Sequence, residues 1–194
     1  IGEPRSGVSL KIEAGHEGST SLSLLDQNQQ TRASIALAKD GTSALQFADS
    51  NQVKRVILGS DSDGSPGLLL NSTDGKSSLA LSASETGTGL VVLRDSKPTA
   101  FLGVQKEAVG LLMKWPADKR SATFGISQAG LPGLVMSDAE GTNRLLLGFG
   151  EKFNPALSLR DAAGRIRISA SIPDDKPEVS VRDSSGEKQW VEPK

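Results

Sequence analysis

The sequence predicts an all-β fold, a tandem array of about eight 23-residue two-strand repeats in a single β-repeat domain spanning residues 1–194. Three observations predict it. Apolar residues alternate with a period of two, the alternation recurs every 23 residues, and turn residues arrive every 10–12 residues. Aligned on their first apolar position, the repeats run Leu22, Leu45, Leu68, Val91, Leu111, Leu134, Leu157 and Val179. The spacing is 23 throughout, except for 20 into the fifth unit and 22 into the last. A fixed period of this size marks units that fold only by stacking on their neighbours.

Residues 1–18 form an N-terminal half-repeat, with Leu10 and Ile12 placed 23 residues before Ala33 and Ile35. The eight full units fill 19–194. The first runs from Leu22 and Leu24 through Asp26 and Arg32 to Ala33 and Ile35. The second repeats this as Leu45, Phe47, Asp49, Arg55, Val56 and Leu58. The third replaces the turn Asp by Ser72, keeps Gly75, and continues to Leu79 and Leu81. The fourth carries Val91, Leu93 and Asp95 before Leu102 and Val104. The fifth is irregular: Leu111 and Met113 lead into Trp115-Pro116 instead of Asp. The sixth and seventh restore the scheme with Asp138, Gly141, Arg144 and with Asp161, Gly164, Arg167. The eighth has Val179, Val181, Asp183 and Gly186, then Trp190 in an apolar column and Glu192 where the pattern fails.

The apolar columns are expected to form the core face of the strands. The alternate positions Ala36, Ile57, Leu69, Ala80, Val92, Val135 and Leu146 point outward, and their apolar character predicts a covered outer face as well. Two stackings fit the period. In an antiparallel β-meander every turn closes a hairpin; in a parallel β-solenoid each unit is one coil. Turns such as Asp161-Ala162-Ala163-Gly164 read as hairpin turns with glycine at the left-handed position, which favours the meander.

Composition excludes several function classes. Lys plus Arg is 22 and Asp plus Glu is 23, so no basic excess attracts nucleic acid. With no cysteine, disulfides, Cys-ligated zinc and thiol catalysis are ruled out, and His16 is the only histidine. Aromatics at 4% argue against stacking platforms for bases or sugars. No run approaches the length of a transmembrane helix. The chain begins at Ile1, and a missing N-terminal signal or anchor is expected ahead of it.

No catalytic, cofactor-binding or metal site is read from the residues. A row of carboxylates could bind Ca²⁺, but each unit offers one regular Asp and calcium needs several converging oxygens. The column Asp26, Asp49, Asp138, Asp161 and Asp183 is therefore assigned to turns, together with Gly141, Gly164 and Gly186. Arg32, Arg55, Arg144 and Arg167 are expected to pair with those carboxylates. His16, beside Glu17, reads as a solvated loop residue, and Gly148-Phe149-Gly150 lacks the Lys-Ser or Lys-Thr of a phosphate loop. Trp115, Leu69, Val92 and Leu146 are the candidate interface residues.

The segments Leu134 to Leu145 and Leu157 to Ile168 follow apolar-x-apolar-x-Asp-x-x-Gly-x-x-Arg-x-x-apolar. This unit resembles tandem repeats of uncharacterised bacterial proteins, often predicted to be exported or membrane-anchored, and the resemblance implies no activity. Its length is also similar to that of MORN hairpin repeats, whose Tyr-x-Gly signature this tyrosine-free chain lacks. The expected function is that of a non-enzymatic structural or accessory subunit, packed against another protein or itself, exported or in the cell envelope. The alternative is an extracellular binding module for a polysaccharide or similar ligand.

Overall fold

Period-two alternation interrupted by Asp- and Gly-containing turns gives strands and hairpins throughout. The computed structural model describes residues 7–15, 18–106, 108–150, 153–173 and 176–189. These contain seventeen β-strands, all antiparallel to their partners, and no α-helix. The chain falls into two compact units, Ile1–Ser96 and Lys97–Lys194.

The first unit holds β1 (Ser9–Ala14), β2 (Thr20–Leu25), β3 (Thr31–Leu37), β4 (Ser43–Ala48), β5 (Lys54–Ser60), β6 (Pro66–Asn71), β7 (Ser77–Ser84) and β8 (Gly87–Arg94). The second holds β9 (Lys97–Gln105), β10 (Ala108–Lys114), β11 (Ser121–Ile126), β12 (Pro132–Ser137) and β13 (Asn143–Phe149). It continues with β14 (Pro155–Arg160), β15 (Ile166–Ser171), β16 (Glu178–Arg182) and β17 (Lys188–Gln189). Within each unit every strand pairs with its sequence neighbour, as in β2–β3 and β3–β4 or β13–β14 and β14–β15. The units are antiparallel meanders, the favoured of the two stackings.

Cross-strand partners share a face, so register sorts the side chains. In the first unit Leu22, Ile35, Leu45, Leu58, Leu68 and Leu81 form one continuous row. In the second Leu111, Phe124, Leu134, Leu147, Leu157 and Ala170 do the same. A second apolar row runs beside each. We call these paired rows the ridges.

Two expectations, the buried core face and the column holding Val91 and Leu93, are corrected. The ridges are not a buried core: no hydrophobic side chain is buried among the described residues, and Phe124 on a ridge is 63% exposed. The physical reason is that the described strands of each unit form a single layer, with no second layer from the same unit. The supposed outward positions Ile57, Leu69, Ala80, Val135 and Leu146 are half-buried, and the most buried residues, Ser23 and Ser180, lie on that same opposite face. Finally, Val91 and Leu93 leave their column. Ser84 pairs with Gly87 around the two-residue turn Glu85-Thr86, so Val92 faces Leu79 on the ridge and Val91 faces Ala80. Short turns of this kind replace the usual five-residue connections near the fifth unit, and a one-residue change of register exchanges the faces.

The opposite face of the second unit carries a row of glycines, Gly103, Gly110, Gly125, Gly133 and Gly148, in direct register. Backbones close up along it. A Cβ at Gly125 would overlap the Val109 carbonyl oxygen and lie 2.7 Å from the Gly110 Cα. At Gly67, in the first unit, a Cβ would meet only the Leu81 oxygen, at 3.4 Å. Gly125→Ala is therefore expected to cost about 1–3 kcal/mol, because backbone rather than side chain must move. Gly67→Ala should stay within about 0.5 kcal/mol of the parent. Urea unfolding of the two variants checks this, and equal stabilities would refute the close approach.

Candidate functional site

The most regular polar feature is the turn edge of each meander. Asp161 shows its construction. Its main-chain N–H donates to the Arg165 carbonyl at 3.0 Å, and its carbonyl accepts from the Gly164 N–H at 2.9 Å. Its Oδ1 accepts the N–H groups of Ala163 and Arg165 at 2.9 and 3.0 Å. Its Oδ2 faces guanidinium, accepting from Arg165 Nε at 3.0 Å and Arg167 Nε at 2.8 Å. Asp26, Asp49, Asp138 and Asp183 likewise accept backbone N–H groups two and four residues on.

The third residue after the Asp is left-handed. Glycine fills this place at Gly141, Gly164 and Gly186, with φ of 85°, 77° and 89°. Gln29 and Gln52 hold it without glycine, at φ 60° and 63°. A turn of this shape ends in the bulge that matches the twist of the flanking strands. The opposite edge uses the same device. Gly41 and Gly64 are left-handed there, and Asp40 and Asp63 accept the Thr42 and Ser65 N–H groups at 3.0 and 2.9 Å.

Each arginine of the column sits in a second β-bulge, which the sequence reading did not anticipate. Thr31 pairs with Leu25 and Ala33 with Leu24, leaving Arg32 as the extra residue. Arg55, Arg144 and Arg167 are extra in the same way in β5, β13 and β15. The bulge re-aims each guanidinium at its turn carboxylate. Arg32 reaches Asp26 at 3.7 Å, Arg144 reaches Asp138 at 3.1 Å and Arg167 reaches Asp161 at 2.6 Å; Arg55 pairs with Asp49. Where the position holds Ser78 or Ser121, no bulge forms, and those serines pair directly with Asn71 and Lys114.

These arginines also reach the next repeat. Arg55 donates to the carbonyls of Ser72 and of Thr73, the latter at 3.0 Å, and Arg144 Nε donates to the Arg160 carbonyl at 2.8 Å. One side chain thus ties a turn carboxylate to the backbone of the following hairpin. The carboxylate oxygens are committed to these donors, which is the geometry of a turn clamp.

Partial desolvation raises the Asp161 pKa, but the Arg165 N–H and the Arg165 and Arg167 guanidiniums outweigh it and hold the carboxyl at about 2. At Asp138 the Arg144 side chain and the Thr142 and Glu140 N–H groups likewise outweigh desolvation and lower the pKa. Asp183 is lowered first by the Ser185 hydroxyl.

The candidate interface residues are dispersed. Trp115 is 52% exposed, and the Arg120 guanidinium lies 5.6 Å from its ring centroid. The carboxylate missing at Trp115 is supplied three residues on by Asp118, which accepts the Arg120 N–H at 2.9 Å and pairs with its guanidinium at 2.8 Å. Leu69 lies between Ile57 and Ala80 on the face opposite the ridge, and Leu146 lies beside Val135 on the corresponding face of the second unit. Val92 is on a ridge. His16 and Trp190 fall outside the described residues. Over the glycine row a groove of about 310 Å³ is lined by Phe101, Gly110, Leu112, Gly125 and Val135 among others.

Two predictions follow from the turn geometry. Because the folded-state pKa of Asp161 lies below its ordinary value of 3.8, its stabilisation is complete above that pH and is lost as pH falls toward about 2. Asp161→Asn should flatten stability against pH across that window, and denaturant titrations at several acid pH values would expose an unchanged slope. Gly164→Val should cost about 1–2 kcal/mol and Gln52→Gly should gain about 1 kcal/mol, since both positions are left-handed. Thermal melts of the two variants check the opposite signs.

Comparison with known proteins finds no matching family model and no similar curated protein.

Proposed function

We propose that this chain is a non-enzymatic structural subunit, a β-repeat strip that packs against another protein chain or a copy of itself in the cell envelope. One observation carries the reading. Continuous apolar ridges line one face of each unit, yet no hydrophobic side chain is buried among the described residues. On the ridges Ile35, Leu102, Phe124 and Leu147 are each more than half exposed. Apolar surface on that scale is stabilising only once it is covered. The regular polar residues are spent on turn geometry and on tying repeat to repeat, which suits a scaffold. The likeness of the repeat to those of bacterial proteins often predicted to be exported supports the envelope setting.

Light scattering after size-exclusion chromatography, combined with dye binding and thermal melting, tests the reading. The purified chain is expected to assemble, or to bind a hydrophobic dye and melt without a sharp transition when held as a monomer. A soluble 20.2 kDa monomer that melts sharply and binds no dye would sink it.

A further inference from the structure

The register that builds the ridges also restricts what can cover them. Among strand residues, every large apolar side chain that is exposed lies on a ridge face, Ile166 alone excepted. Each unit has two ridge rows of eight apolar residues, one from each of β1–β8 and of β9–β16, with no charged member. Strands are spaced about 4.8 Å apart, so a row presents an apolar step at that interval over roughly 34 Å. A partner that repeats at the same interval can cover a row from end to end. Another antiparallel sheet does so, and this chain supplies one with uncharged, apolar rows of equal length.

Area and charge point the same way. Two rows about 34 Å long and together about 13 Å wide give roughly 450 Å² per unit, so both units of two copies would bury on the order of 1,800 Å², the size of a stable specific interface. The formal net charge is −1, so two copies meet without a large like-charge penalty. We infer that the ridge faces are the interface between copies of this chain, sheet packed on sheet about 10 Å apart. The inference rests on the structural-subunit reading and commits it to one occupant and one face. The opposite face, with its close-packed glycine row in the second unit, is not the contact.

The absence of cysteine makes the test direct, because an introduced thiol reports on one position. Ile35→Cys and Leu147→Cys place thiols on the two ridges, and Ala80→Cys and Ser158→Cys place them on the opposite faces. Light scattering of the unmodified chain is combined with maleimide labelling of each variant in buffer and in urea. The expected mass is twice 20.2 kDa or a higher integer multiple of it. The ridge thiols should react at least about tenfold more slowly in buffer than in urea, with protection rising with protein concentration. An assembly of that mass whose ridge thiols label at the urea rate overturns the inference and leaves the structural reading standing. So does a chain that purifies only in stoichiometric complex with a different protein. A sharply melting 20.2 kDa monomer overturns both, whatever its thiols do. With two ridge variants and the unmodified chain, one misfolded variant does not decide the result.

Discussion

Backbone hydrogen bonding between consecutive strands is the interaction on which this molecule depends. With no hydrophobic side chain buried among the described residues, the ladders and the turns that set their register hold the strands in place. Register therefore decides everything downstream. It gathers leucine, isoleucine, phenylalanine and methionine into ridges on one face, and it aligns five glycines from β9 to β13 on the other. A slip of one residue would scatter both, as the exchange of Val91 for Val92 after the Glu85-Thr86 turn illustrates.

The turn clamp protects that register. A carboxylate that accepts two backbone N–H groups fixes loop length, and an arginine held in a β-bulge ties the carboxylate to the next hairpin. Each such ion pair is half-buried and still in touch with solvent, so it is individually modest. Its value is geometric: it allows one pairing of the strands and disfavours the others. Repetition along the edge makes this a property of the array, in which each repeat is bound to its neighbours.

The two faces of the layer are built for different purposes. In the second unit a row of glycines on one side lets backbones approach closely, while in both units the large apolar residues of the ridges remain exposed. A protein that stopped at this stage would present aggregation-prone surface. The proposed coverage of the ridges by a second sheet of the same spacing would resolve that conflict.

Much was legible in the residues alone. The 23-residue period and the alternation within it determined an all-β array, because a period of two can bury or expose one face only in a strand. The Asp-x-x-Gly spacing determined the hairpin turns, since a carboxylate and a left-handed residue three positions later have few other uses together. The Asp–Arg partnership was legible from separation, but the bulge that creates it was not, because a bulge is defined by a mismatch between two strands and appears in neither one. Which apolar column is covered was also beyond the sequence. Periodicity names the residues that share a face, and only the tertiary structure reveals that each unit is one layer, so that the face marked as core has no second layer from its own unit to pack against.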